Sequence, residues 1–389
     1  MEHINVYSGQ EVISRVVVSE DLRGLETCLK PYRKIFVIMD ANVFRGCPAL
    51  RKFAESADGL FLVEASEARK TMETVLEIDR WLLEKGADRD ALVLAAGGGI
   101  TTDMAGFAAS IYKRGVRFAY IPTTLLAQVD ASVGGKTGVN LDGYKNILGV
   151  IRQPEFTYVC PMFLESLPQR EFFSGAAELL KTFVIEDGGN YRKAADMLFD
   201  ISGEYHVEVL MNQKDGREVW KAIMAKHLKG MAILIASALR VKAGVVSRDQ
   251  FERDERRKLN LGHTFAHAIE TLAQSDGGER FEGHDGVHDV HGVSHGEAVA
   301  MGMVLAARLA DRYFRKDTGD PTELEGRISS DLWDCNIPCY CPYSVQEMAD
   351  VMAKDKKAGG GKVHFVLPRA IGDVVMVGLT IDEVVKLLK

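Results

Sequence analysis

The chain contains no uninterrupted apolar run of about 18 residues, the length a membrane-crossing helix needs, so no spanning segment is expected. Its opening, MEHINVYSGQEVISRVVV, lacks a basic region ahead of a long apolar stretch, and no signal peptide is expected. Excess positive charge is missing as well. The 48 Lys and Arg against 55 Asp and Glu leave a net charge of −7, which argues against a general nucleic-acid or membrane partner. An anionic small molecule would need local clusters of Lys and Arg. The six cysteines, Cys28, Cys47, Cys160, Cys335, Cys339 and Cys341, contain no CxxC pair. Reduced, partly buried thiols in a cytoplasmic protein are expected, in preference to a zinc knot at Cys335, Cys339 and Cys341. Internal repeats and low-complexity tracts are also absent.

What remains is the composition of an ordinary globular enzyme, 47% hydrophobic and 26% charged. At 389 residues one core is unlikely to serve the whole chain, and two domains are expected. In the first part, short apolar runs ending in Gly, Asp or Thr alternate with helical patterns. KIFVIMD (34–40), GLFLVE (59–64), ALVLAAGGG (91–99) and FAYIPTT (118–124) read as strands, and TMETVLEIDRWLLEKG (71–86) reads as a helix. That alternation predicts a parallel sheet covered by helices, with ligands outside the carboxyl ends of the strands. Asp40, Gly97 to Gly99, Thr123 and Thr124 fall at such ends. From about Pro168 onward the apolar spacing becomes helical, as in REFFSGAAELLKTFVIE, VWKAIMAKHLKGMAILIASALRVKAGVV, LNLGHTFAHAIETLA and HGEAVAMGMVLAARLADRYF. The expected division is an α/β domain at 1–167 and a mainly helical domain at 168–389, with a small hairpin at 361–377 before a last helix. SDGGERFEGHDGVHDVHGVSH (275–295) has no apolar period and reads as a surface loop.

Three groups of residues could carry chemistry. Gly97-Gly98-Gly99 follows an apolar strand and precedes a helix read at 102–110. Glycines there let backbone approach a pyrophosphate at a helix N-terminus. The run is not a GxGxxG fingerprint, and a plain strand-to-helix turn explains it equally well. Asp40 is a candidate for a ribose hydroxyl. Glu178, His263 and His295 offer the nitrogen and carboxylate donors of a catalytic zinc site with one position left open. His267 lies one turn after His263 on the same helix face, so either imidazole could be the ligand. His284, His288 and His291 compete by spacing, although a solvated polar loop accounts for them better. The third group is basic: Arg114, Lys136, Lys145, Lys181, Lys242 and Arg256. Most such residues are solvated surface charges, but in an acidic chain cations beside Gly-rich turns and metal candidates suit a phosphate and a carboxylate.

Read together, these segments resemble the 3-dehydroquinate synthase family. The resemblance rests on GGGITTDMAGFAASIYKRG, IPTTLLAQVDASVGGKTGVN, YKNILGVIRQP, SGAAELLKT, RVKAGVVSRDQ, ERRKLNLGHTFAHAIE, HGEAVAMGM and DKK. They follow in the family's order from about Gly97 to Lys357. The resemblance implies a Rossmann-like NAD-binding domain followed by a helical metal- and substrate-binding domain. It places Glu178, His263 and His295 on the zinc ligands, with cobalt as an alternative metal, and sets aside His284, His288 and His291. It places Arg114, Asp130, Lys136, Asn146, Lys181, Lys242, Arg256, Asn260, His267 and Lys356 on positions that bind the substrate's hydroxyls, carboxylate or phosphate. Asp40, Asn42, Glu67, Lys70, Gly98, Gly99, Asp103, Thr123, Thr124, Lys145 and Ser166 fall on or near NAD-contacting positions.

The implied reaction converts 3-deoxy-D-arabino-heptulosonate 7-phosphate to 3-dehydroquinate and phosphate, with NAD recycled, in a cytoplasmic homodimer that shares Arg114 across its interface. The sequence departs from the family pattern in two places. Thr102 stands where a glycine is usual, and the excursion from Glu270 to His295 is long. Three other readings compete: a cyclase acting on sedoheptulose 7-phosphate or an amino-heptulosonate phosphate, a metal-dependent alcohol or glycerol dehydrogenase, and a non-catalytic binding homologue. SVGGKTGVN and YKN argue against the dehydrogenase.

Overall fold

A computed structural model describes residues 1–278, 280–281, 292–318, 323–355 and 361–389. By internal contacts the chain forms two units, Met1–Phe172 with Asp215–Arg253, and Phe173–Lys214 with Asp254–Lys389.

The first unit is built on a seven-stranded sheet. Its strands are β1 (Glu2–Ser8), β2 (Glu11–Val18), β3 (Ile35–Asp40), β4 (Gly59–Val63), β5 (Leu92–Gly97), β6 (Arg117–Pro122) and β9 (Phe156–Val159), in the order β1-β2-β9-β6-β5-β3-β4. All neighbours pair in parallel except β1 and β2. The central strands read as continuous apolar runs because both faces are covered. Successive side chains confirm this. Phe36, Ile38, Val93 and Ala95 enter one core with α4 (Met72–Glu84) and α5 (Gly99–Ile111). Val37, Met39, Leu92, Leu94 and Ala96 enter the opposite core with α1 (Leu25–Leu29) and α3 (Pro48–Glu55). Each of the larger apolar side chains buried there contributes roughly 1.5–3 kcal/mol, so a polar residue at Ile38 would break the layer.

The four strands read from sequence are β3 to β6. The N-terminal hairpin and β9 extend the sheet beyond them. A separate ribbon, β7 (Lys136–Leu141) with β8 (Tyr144–Ile151), occupies the Gly-rich stretch after β6. α2 (Ala41–Gly46) starts directly on β3, capped by Asp40.

α8 (Gly216–Arg248) was expected in the helical half, yet it packs within the first unit. Among the described residues it is the one helix long and apolar enough to cross a membrane, but 61% of its most apolar window is buried inside the protein. Its apolarity is that of a core helix. Asp215 starts it by accepting from the amides of Arg217 and Glu218 at 3.0 and 3.1 Å.

The second unit is mainly helical: most of α6 (Gln169–Ile185), α7 (Gly188–His206), α9 (His263–Ser275), α10 (His295–Thr318), α11 (Leu324–Asp334), α12 (Val345–Asp355) and α13 (Ile381–Leu388). The expected terminal hairpin is β10 (Val363–Ala370) with β11 (Asp373–Leu379).

Candidate active site

Three helices of the second unit converge on one cluster of donors, and glycines let them do so. At Gly296 in α10 a Cβ would lie 2.0 Å from the carbonyl oxygen of Ser174 in α6. The Gly296 amide instead donates to the Ser174 hydroxyl at 3.1 Å. At Gly262, just before α9, a Cβ would meet the Met303 amide at 2.8 Å, and Gly302 packs as closely in return. Gly262 also takes φ 78°, a conformation that favours glycine. The start of α10 is fixed by Ser294 and Glu297. The Ser294 amide donates to Glu297 at 2.6 Å and the Glu297 amide donates to Ser294 Oγ at 3.3 Å, the reciprocal pair of a capping box.

This packing brings Glu178, His263 and His295 together, with one donor atom from each lying within 4.8 Å of the others. Glu178 Oε1 is 3.7 Å from His263 Nε2 and 3.4 Å from His295 Nε2. Its other oxygen is 2.5 Å from Lys181 Nζ, and both side chains are fully buried. The far nitrogens of the imidazoles are also occupied. His263 Nδ1 is 3.2 Å from the Leu261 carbonyl, and His295 Nδ1 is 3.1 Å from Glu270 Oε1. Burial, reinforced by Lys181, pushes His263 down to about 3 despite Glu178, so it stays neutral. At His295 burial acts in the same direction, but the hydrogen bonds to Glu178 and Glu270 outweigh it and lift the imidazole to about 9.

Two imidazole nitrogens and one carboxylate oxygen are the donor set of a catalytic zinc site, and the residues present fit a divalent cation of that kind. His267, left open as an alternative ligand, instead sets its ring edge-on to His263 at 5.7 Å. Arg256 is buried in the turn 255–260 that ends at Asn260 and leads into Gly262 and His263. His284, His288, His291 and Lys356 lie outside the described residues.

The first unit assembles most of the remaining candidates. Gly98 is the N-cap of α5 with no side-chain cap, so the first-turn amides are left to other acceptors. A Cβ on Gly98 would press on Thr124 Cγ2 at 3.0 Å, and one on Gly99 would reach Ala131 at 3.2 Å. An uncapped N-terminus lined by backbone fits a phosphate group. Thr102 does not intrude on that turn: its hydroxyl donates back to the Gly99 carbonyl at 3.0 Å and the residue is buried.

One turn into α5, Asp103 meets Lys70 Nζ at 2.6 Å. The same ammonium donates to Asn146 Oδ1 at 2.5 Å. Asn140 closes the network, donating to Glu67 at 2.8 Å and accepting from the Asn146 amide at 2.9 Å. Burial pushes the Asp103 carboxyl up, opposed by Lys70. Elsewhere in this unit Lys136 pairs with Glu252, and Lys242 pairs with Asp130.

Several other candidates have local partners. Asp40 accepts from the Asn42 amide at 2.7 Å as the cap of α2, and the Asn42 side chain accepts from Arg45 at 2.7 Å. The Thr123 amide donates to the Gly97 carbonyl at 2.9 Å, and Ser166 Oγ donates to the Phe163 carbonyl at 3.2 Å. Lys145 and Arg114 are exposed, and Arg114 sits at φ 69° in a turn closed by Gly115.

Glu270, Glu252, Asn140 and Ser174 were not among the residues read from sequence. Glu270 carried a signal: with His263 and His267 it completes an i, i+4, i+7 face of one helix. The others depend on tertiary contacts that spacing does not encode.

Comparison with known proteins places the chain in the class of sugar-phosphate cyclases. The structure of a 2-epi-5-epi-valiolone synthase from Streptomyces hygroscopicus subsp. jinggangensis 5008, with NAD+ and Zn2+ bound, is similar at TM-score 0.72 and 28% identity, covering 97% of this chain and 96% of that one. A 2-deoxy-scyllo-inosose synthase complexed with carbaglucose-6-phosphate, NAD+ and Co2+ shares the fold at TM-score 0.73 and 22% identity, over 100% and 99% of the two chains. Family models described as the N-terminal and C-terminal parts of 3-dehydroquinate synthase match residues 60–174 and 175–358. A 3-dehydroquinate synthase from Dictyoglomus thermophilum is 36% identical over 335 residues, which is 86% of this chain and 83% of that protein. The chain belongs to the 3-dehydroquinate synthase family, and it is an enzyme, a cyclase of the lyase type.

Proposed function

We propose that the protein converts 3-deoxy-D-arabino-heptulosonate 7-phosphate to 3-dehydroquinate and phosphate, using NAD catalytically and a divalent metal held by Glu178, His263 and His295. Family membership carries this reading, and the convergence of those three donors on one point supports it. When bound, NAD would take a hydride from the substrate and later return it, while zinc or cobalt would lower the pKa of the alcohols it contacts.

The chain's own residues bind and orient. The amides at the start of α5, with Asp103 and Lys70 beside them, take the dinucleotide, together with Asp40, Asn42, Glu67, Thr123, Thr124, Lys145 and Ser166. Lys136 and Asn146 take the substrate phosphate. The Lys136–Glu252 pair is half exposed on the lysine side. Such a pair is worth at most about 1 kcal/mol, so exchanging a carboxylate for a phosphate oxygen costs little. Lys242, Asp130, Arg256, Asn260, His267 and Lys356 orient the carboxylate and hydroxyls. Lys181 holds one Glu178 oxygen, which leaves the other to the cation. The working form is a cytoplasmic homodimer in which Arg114 of the partner subunit reaches the phosphate.

The likeness to a valiolone synthase supports a second reading, a different sugar phosphate at the same site. Phosphate release from the heptulosonate 7-phosphate and from sedoheptulose 7-phosphate, measured side by side with zinc and a trace of NAD, separates the two. A kcat/KM at least 100-fold higher for the heptulosonate is expected. The reverse preference would replace the first reading by the second.

A further inference from the structure

We propose that Glu270 is a positioning residue of the metal centre, one that fixes the proton of His295 on Nδ1 and adds its negative charge to a bound cation. The inference rests on the reading of Glu178, His263 and His295 as metal ligands.

The capping box holds the backbone of His295 at the start of α10, but it leaves the ring to turn about the side-chain bonds. The ring therefore needs an outside constraint. Glu270 supplies one from α9: its Oε1 is 3.1 Å from Nδ1, and the residue is only 8% exposed. A carboxylate only accepts, so this hydrogen bond keeps a proton on Nδ1 and makes Nε2 the nitrogen available to a cation. That nitrogen is the one 3.4 Å from Glu178 Oε1. His263 reaches the same tautomer by a different route, through the Leu261 carbonyl two residues away. One imidazole is thus oriented by a neutral local acceptor, the other by a charged side chain from a different helix. The charge makes the second arrangement stronger, because a hydrogen bond to an ionised acceptor is roughly twice as strong as a neutral one. It also raises the donor strength of the ligating nitrogen, which partners of this kind do at metal sites. Glu178 already shares its charge with Lys181 at 2.5 Å, so a second carboxylate strengthens the attraction for a dication.

Zinc affinity, measured on the full chain by competition with a chelating dye, tests the inference alongside the visible spectrum of the cobalt-loaded protein. Glu270→Ala is expected to weaken zinc binding roughly 10- to 100-fold and to change the cobalt bands. Glu270→Gln keeps an acceptor for Nδ1–H without the charge, and is expected to fall between Glu270→Ala and the unaltered protein. Wild-type zinc affinity in either variant, once it is shown to be folded, would overturn the inference. If Glu270→Ala does not fold, Glu270→Gln decides alone. The unaltered protein and His263→Ala serve as controls for the underlying reading. Zinc bound equally by both would sink the ligand assignment itself, whereas loss of zinc in His263→Ala with wild-type binding in the Glu270 variants would sink only the role of Glu270.

Discussion

At the scale of single residues, the Glu178–His263–His295 cluster combines charge and neutrality in a way that invites direct tests. His263 is kept neutral by burial and by Lys181, which is the form a cation requires of an imidazole. His263→Ala is expected to lose bound metal and at least 100-fold in phosphate-release rate together, as read by metal analysis and turnover on one preparation. Full metal content in that variant would contradict the ligand role.

A second prediction concerns stability away from the site. Asp79, in α4, is pushed up to about 6 by burial, and its Oδ1 has no hydrogen-bond partner. A carboxyl whose folded pKa is raised stabilises the fold most below its unfolded value of about 3.9. That contribution is lost as pH rises through about 6. Asp79→Asn should therefore raise the unfolding free energy relative to the unaltered protein at pH 8, by on the order of 1 kcal/mol, with a higher thermal midpoint, and the difference should vanish by pH 4. A constant difference across that range would count against the burial account.

At the scale of elements, the sequence was most readable where periodicity and burial agree. β3 and β5 are buried on both faces and appear as unbroken apolar runs. The long helices α6, α8 and α10 show apolar residues at helical spacing. The ribbon β7–β8 was not legible because β8 is largely exposed and its residues follow no core pattern. The unit to which α8 belongs was not legible either, since an apolar helix face does not name its partner. Site residues divide in the same way. Glu178, His263 and His295, which the structure brings together, were singled out by residue type and resemblance. The glycine contacts that bring α6, α9 and α10 within ligand distance are tertiary facts.

Those contacts carry the element-scale prediction. Gly296→Ala places a Cβ against the Ser174 backbone, which cannot rotate away. Overpacking of this kind costs about 1–3 kcal/mol, and relieving it moves the start of α10, with His295, off α6. A lower thermal midpoint together with weakened zinc binding is expected. Unchanged zinc affinity in a folded Gly296→Ala protein would show that α10 can shift without disturbing the ligands.

At the scale of the whole molecule, the candidate site features fall in two units. The first presents a parallel sheet with an uncapped glycine turn and the Lys70–Asp103–Asn146 network. The second carries the donor triad. A metal-dependent dehydrogenase could use similar parts, so parts alone do not distinguish a net oxidation from a cyclisation that recycles its hydride. The family membership favours the second, and the proposed reaction makes a quantitative demand: phosphate must be released without net reduction of NAD.

The measurement that tests this most directly follows phosphate, 3-dehydroquinate and NADH together in a single reaction containing the purified protein, zinc, the heptulosonate 7-phosphate and substoichiometric NAD. The account predicts equal amounts of phosphate and 3-dehydroquinate, far exceeding the NAD added, with no accumulating NADH. NADH rising in step with substrate consumed, and no phosphate released, would contradict it.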